Sequence, residues 1–121
     1  EINERIEAET DRKNYVRPEI EQVKHYLEEH YQESITREDI EQYMHLNGDY
    51  LNRIYKSAMG FSLMEYIQHL RIEKAKKLLR ETTDSISEIC GQTGYDSPPY
   101  FAKIFKKQTG QTPSEYREGK Q

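Results

Sequence analysis

From Pro18 onward the apolar side chains Ile20, Val23 and Leu27 recur at helical spacing, with Tyr31 one turn further and charged residues between them. This predicts a helix over 18–31, opened by a proline that suits a first turn. Similar alternation predicts helices over 37–44, 48–58, 63–80, 86–92, 98–108 and 113–117, and no strand. Four starts carry capping-box spacing: Thr36 with Asp39, Ser62 with Glu65, Ser85 with Glu88, and Thr112 with Glu115. The Thr36 pair is the weaker, because Asp is short. Phe61 and Tyr66 flank the Ser62 cap at staple positions, Asn47 and Ser97 suit single caps, and Gly60 and Gly110 stand where helices should stop. Residues 1–17 hold Ile2 and Ile6 a turn apart and then little periodicity. They read as a solvated helix or linker arriving from a missing amino-terminal domain. Because the chain begins with Glu1 and not Met, it is expected to be a piece of a longer protein.

The chain repeats itself at an offset of 50. Tyr50, Ile54, Lys56, Gly60, Glu65 and Tyr66 recur as Tyr100, Ile104, Lys106, Gly110, Glu115 and Tyr116, while Leu51, Arg53, Tyr55 and Ser62 return as Phe101, Lys103, Phe105 and Thr112. Two copies are too few for a solenoid. They predict an all-α fold of two similar helical units, 18–60 and 81–121, joined by a long central helix within 61–80. Each unit has a short helix, a tight turn and a second helix that ends at glycine.

Composition changes this picture in two places. Leu, Ile, Val and Phe supply 23 of 121 residues, a small fraction for a folded domain, and ten tyrosines enlarge the apolar surface available for a core. The 18 basic and 22 acidic residues give a net charge of −4, yet the acid is concentrated at the front. Residues 1–33 carry −5 and the remainder +1. Residues 50–60 and 97–110 contain Arg53, Lys56, Lys103, Lys106 and Lys107 and no Asp or Glu. No apolar run is long enough for a membrane span, no secretory signal is present, and one cysteine forms no intramolecular disulfide. A cytoplasmic protein is expected.

On 48–58, Leu51, Ile54, Tyr55 and Ala58 share one side, and Asp49, Asn52, Arg53 and Lys56 the other. On 98–108, Phe101, Ile104 and Phe105 oppose Pro99, Ala102, Lys103 and Lys106. A short helix, a turn and a helix with a basic outer face is what a helix-turn-helix unit needs to enter a major groove. Ordinary amphipathic helices with solvated Lys and Arg would look alike one at a time; two copies in register favour the DNA reading. The central helix, at ~1.5 Å per residue, spans ~27 Å, close to one ~34 Å turn of DNA. Its Arg71, Lys74, Lys76, Lys77 and Arg80 are candidates for phosphates between the units or for a solvated face.

The segments ITREDIEQYMHLNGDYLNRIYKSAMG, RIEKAKKLL and ISEICGQTGYDSPPYFAKIFKKQTGQTPSEYR resemble the DNA-binding domain of the AraC/XylS family of bacterial transcription regulators over residues 18–117. Ile89, Gly94, Tyr95, Phe101, Phe105, Lys106, Gly110, Thr112, Pro113, Tyr116 and Arg117 carry the most specific part. The resemblance implies recognition helices at about 48–58 and 98–108 inserted into adjacent major grooves of double-stranded DNA. It also implies RNA polymerase as a partner and a missing amino-terminal ligand-binding or receiver domain. Carried over by position, Asp49, Asn52, Arg53, Pro99, Ala102 and Lys103 are the candidate base contacts. Arg53 and Lys103 are placed on guanine and Asn52 on adenine. Thr36, Arg37, Lys56, Ser97, Lys106 and Lys107 are the candidate phosphate contacts. Pro99 and Ala102 offer only apolar contact, so thymine methyls or DNA shape would carry part of the second unit's selectivity.

Two departures stand out. Glu41 occupies a position the family usually fills with alanine packed between helices, so it must escape to solvent or open the unit slightly. Cys90, at the equivalent site, fits a small buried hydrophobe; a redox or nucleophilic role lacks an adjacent base. His25, His30, His45 and His69 lack metal-ligand spacing, and no phosphate loop, nucleophile elbow or zinc-protease motif appears. No metal, no cofactor and no enzymatic activity is expected. A helical protein-interaction module, its basic faces docking an acidic protein, is the competing function.

Overall fold

The computed structural model describes residues 17–119. They form α1 (Pro18–His30), α2 (Arg37–Met44), α3 (Gly48–Met59), α4 (Leu63–Glu81), α5 (Ile86–Gln92), α6 (Pro98–Thr109) and α7 (Pro113–Arg117), with no strand among the described residues. The linker expected over 1–17 lies, apart from Arg17, outside them.

The helix starts follow from side chains that satisfy free first-turn amides. All four capping boxes close. Asp39 N–H donates to Thr36 Oγ1 (3.1 Å) and Thr36 N–H to Asp39 Oδ2 (3.0 Å), so the shorter acid suffices. Ser62 with Glu65, Ser85 with Glu88 and Thr112 with Glu115 exchange the same pair of bonds at 2.8–3.1 Å. The α3 and α6 exits match as well: Gly60 (φ 88°) and Gly110 (φ 86°) sit in the left-handed region that admits glycine freely, and each N–H closes on a lysine carbonyl four residues back at 2.8 Å.

The contacts divide the chain into two units, one running up to His30 and then over Ile35–His69, the other comprising Tyr31–Ser34 and the chain from Leu70. In the first, Val23, Leu27, Leu51, Tyr55, Phe61 and Ile67 are buried almost completely. Phe61 and Tyr66 stack at 5.9 Å, which is the staple expected around Ser62. Tyr66 Oη–H donates to Glu28 Oε2 at 2.6 Å and ties the start of α4 to α1.

In the second unit Ile72, Ala75, Leu79, Ile89, Cys90, Tyr95, Phe101, Ile104 and Phe105 form the core. Phe101 and Phe105 are fully buried, each stabilising the fold by ~1.5–3 kcal/mol through apolar burial. Arg117 donates to the Leu79 and Thr82 carbonyls (3.2 and 3.1 Å), satisfying acceptors left open at the end of α4 with a cation suited to a helix C-terminus. Arg71 donates in the same way to the carbonyls of Tyr31 (2.8 Å) and Glu33 (3.0 Å), which explains why 31–34 pack with this unit. Its guanidinium lies 5.1 Å from the Tyr95 ring centre. Gly94 adjoins this clamp with φ 104°, and a Cβ there would come within 2.7 Å of the Tyr31 carbonyl oxygen.

Candidate nucleic-acid interface

Helix α3 buries Leu51, Tyr55 and Met59 and turns Asp49, Asn52, Arg53 and Lys56 to solvent, as its amphipathic pattern requires. Asn47 caps it by accepting the Tyr50 N–H at 3.1 Å. The Arg53 guanidinium rests 5.4 Å from the centre of the Tyr50 ring, which limits where a long side chain swings. Asn52 is anchored differently: its Oδ1 accepts the N–H of Leu63, the first residue of α4, at 3.1 Å. That bond fixes the amide's orientation, because only the oxygen can accept, and Nδ2 has no hydrogen bond among the described residues. Arg37, Asp49, Asn52 and Met64 help line an open cleft of about 210 Å³ beside the helix.

Glu41 takes neither expected course. It is half-buried, with 31% of its side chain exposed, and it finds partners within its own unit. Its carboxylate accepts the N–H of Gly48, the first residue of α3, and it pairs with Arg37 Nε at 3.4 Å. An anion at a helix N-terminus satisfies an orphan amide and complements the helix dipole. The second unit meets the same need without an anion. Thr36 and Ser85 begin their helices 49 residues apart, whereas Asn47 and Ser97 begin theirs 50 apart, so the second turn holds one residue more. The counterpart of Gly48 is Pro98, which has no N–H to satisfy, and the counterpart of Glu41 is Cys90. Cys90 is buried, its thiol faces the Tyr95 carbonyl at 3.5 Å, and burial raises its pKa. It packs as the expected small hydrophobe.

Helix α6 buries Phe101, Ile104 and Phe105, half-buries Ala102 and exposes Pro99, Lys103, Lys106 and Lys107. Ser97 caps it, accepting the Tyr100 N–H at 3.3 Å. Thr36 and Ser97, two of the candidate phosphate contacts, therefore use their hydroxyl oxygens as caps and retain the hydroxyl proton for an external acceptor. Tyr100 is 48% exposed on the first turn of α6, edge-on to Tyr95 at 6.0 Å. In the sequence Tyr100 stands out only as a repeat position, and its place one turn before Lys103 is the signal that marks it.

The cations sort into two groups. Arg37 bridges Glu41 and Asp49, its Nη2 lying 2.9 Å from Asp49 Oδ1, so two candidate DNA contacts neutralise each other at the surface. Of the five basic residues proposed for the central helix, Arg71 holds backbone carbonyls, Lys76 pairs with Glu73 at 2.9 Å, and Arg80 donates to Tyr116 Oη. Lys74 and Lys77 remain. By contrast Arg53, Lys56, Lys103, Lys106 and Lys107 form no ion pair among the described residues and are all exposed. His25 pairs with Glu29 at 3.0 Å, and no group of three His, Cys, Asp or Glu side chains able to hold a metal occurs among the described residues. No described helix is long and apolar enough to cross a membrane.

Each unit thus places a capped helix, acid-poor on its outward face, directly after a short helix and a tight turn; the chain is a duplicated helix-turn-helix protein. A family model described as "Helix-turn-helix domain" matches residues 40–119. The chain belongs to the AraC/XylS family of DNA-binding transcription regulators. It is 34% identical over 99 residues to the bifunctional transcriptional activator/DNA repair enzyme AdaA of Bacillus subtilis, covering 82% of this chain and 47% of that protein. The C-terminal domain of AraT, a response regulator from Geobacillus stearothermophilus, superposes with TM-score 0.82 at 33% identity, covering 85% of this chain and 86% of that one. The C-terminal domain of the two-component response regulator yesN from Fusobacterium nucleatum superposes with TM-score 0.77 at 34% identity, covering 80% and 95%. The chain spans less than half the length of the curated relatives it matches.

Proposed function

We propose that this chain is the DNA-reading part of a larger transcription regulator, with α3 and α6 each entering a major groove of one duplex at half-sites about one turn apart. The observation that carries the reading is the sorting of cations: those on the outer faces of α3 and α6 form no ion pair among the described residues, while most others are bonded within the fold. Arg53 and Lys103 are the principal base-edge readers, with guanine the preferred target. Asp49 and Asn52 extend the first reading face, Pro99 and Ala102 the second. Lys56, Lys106 and Lys107 grip phosphate, assisted by Thr36, Arg37 and Ser97. The chain itself performs no catalysis. RNA polymerase is its partner in transcription, and an amino-terminal ligand-binding or receiver domain supplies the signal. The response-regulator relatives, matched through their C-terminal domains, support that last arrangement.

The test is fluorescence anisotropy of a selected DNA site between 50 and 200 mM salt. Phosphate contacts predict a fall of roughly one log unit in affinity per log unit of salt for each contact. Flat salt dependence, or equal affinity for every sequence, would contradict the reading and favour a protein-interaction module.

A further inference from the structure

Asn is the side chain best suited to reading adenine, because its oxygen accepts from N6 while its nitrogen donates to N7. That bidentate grip needs both amide atoms along one base edge. In this chain the oxygen of Asn52 is already engaged by the Leu63 N–H at 3.1 Å, and Leu63 is the first residue of α4, whose amide has no intrahelical acceptor. Turning the amide so that its oxygen lies along a base edge with the nitrogen would pull it from the Leu63 N–H and leave a half-buried backbone donor unsatisfied. The nitrogen has no hydrogen bond among the described residues and belongs to a residue exposed along the outer side of α3 beside Arg53.

We propose that Asn52 is a specificity-determining residue that reads its base pair as a hydrogen-bond donor only, its oxygen being held permanently by the start of α4. The inference rests on the DNA-binding reading above. A donor suits the acceptors of guanine (O6, N7) or thymine (O4). It meets adenine through N7 alone and is rejected by the N4 amino group of cytosine. The first reading face then presents two donors, Asn52 and Arg53, next to one acceptor, Asp49, which favours a guanine-containing half-site without a fixed adenine.

Asn52→Asp tests this cleanly. The carboxylate is close to the amide in shape, still accepts the Leu63 N–H, and is welcome at a helix N-terminus, so the melting temperature should stay within about 2 °C of the parent. What changes is the outward atom, from a donor to an acceptor. Sites are selected from random DNA with the parent 121-residue chain, and dissociation constants are then measured for the four bases at each half-site position, for parent and variant. The expected result is one position where the parent prefers guanine or thymine to cytosine by about three- to tenfold and the variant reverses the order. A parent that requires adenine at that position, or a variant with an unaltered ranking, would overturn the proposal. Hydrogen exchange at the Leu63 amide gives an answer that needs no variant: protection retained in the DNA complex supports a held oxygen, and protection lost on binding refutes it. A parent chain that selects no sequence at all would instead overturn the DNA-binding reading beneath it.

Discussion

Replacing Glu41 by alanine separates two physical pictures by sign. If Glu41 were a carboxylate tolerated between helices, its removal would be neutral or stabilising. The structure assigns it the opposite role, as the acceptor for the first amide of α3 and the partner of Arg37. A hydrogen bond to a charged group contributes about 1.5–3 kcal/mol, and an anion at a helix N-terminus about 0.3–1 kcal/mol. With 31% of the side chain exposed, solvent screening moves the sum toward the lower end, and alanine's better helix propensity offsets a few tenths more. The net expectation is a loss of about 1–2 kcal/mol, equivalent to roughly 5–10 °C in a domain of this size. Thermal and urea unfolding followed by circular dichroism measure it. Glu41→Gln, which keeps an acceptor without its charge, should lose about half as much. A Glu41→Ala chain as stable as the parent, or more stable, would refute the reasoning and restore the picture of a merely tolerated acid.

Three further expectations concern the cores. Tyr55 is fully buried and its hydroxyl has no hydrogen-bond partner, whereas its repeat counterpart is Phe105; Tyr55→Phe should therefore stabilise the chain by about 1 kcal/mol, and a lower melting temperature would show that the hydroxyl is satisfied. Gly94→Ala combines a φ of 104° with a Cβ pressed against the Tyr31 carbonyl and Arg71, so unfolding experiments should find a loss of at least about 2 kcal/mol. Burial raises the pKa of Tyr55, Tyr66 and Tyr95, that of Tyr95 from 10.0 to about 12. A phenol with a raised folded-state pKa favours the neutral form in the fold, so its contribution is intact below pH 10 and is lost as pH rises toward 12, about 3 kcal/mol for Tyr95 alone. Denaturant titrations at stepped alkaline pH, with tyrosinate absorbance as a second probe, should show stability falling across that window; constant stability to pH 12 would contradict it.

Local features were the legible ones. Capping boxes act over three residues and helix-ending glycines over one, so Thr36, Ser62, Ser85, Thr112, Gly60 and Gly110 announce their roles without tertiary information. The duplication also makes the outward faces of α3 and α6 legible, because matching positions in two copies constrain each other. What stayed hidden depends on contacts across turns and between distant segments. The bond from Gly48 to Glu41 crosses the helix-turn-helix turn, and the Asn52 tie reaches eleven residues to Leu63. Arg71 reaches forty residues back to the Tyr31 carbonyl. Neither the grip of Arg71 on backbone carbonyls nor the mutual neutralisation of Arg37 and Asp49 has a spacing signature. A basic residue on an amphipathic face looks alike in sequence whether it is free for phosphate or already bonded.

Selection of binding sites from random duplex DNA, followed by Arg53→Ala and Lys103→Ala in the same chain, bears most directly on the two-helix mode of DNA reading. The expected outcome is a pair of short conserved half-sites about one helical turn apart, with Arg53→Ala relaxing preference at one base pair of one half-site by ~1–3 kcal/mol and Lys103→Ala acting in the other. A single undivided site, or a selected sequence indifferent to both substitutions, would contradict it.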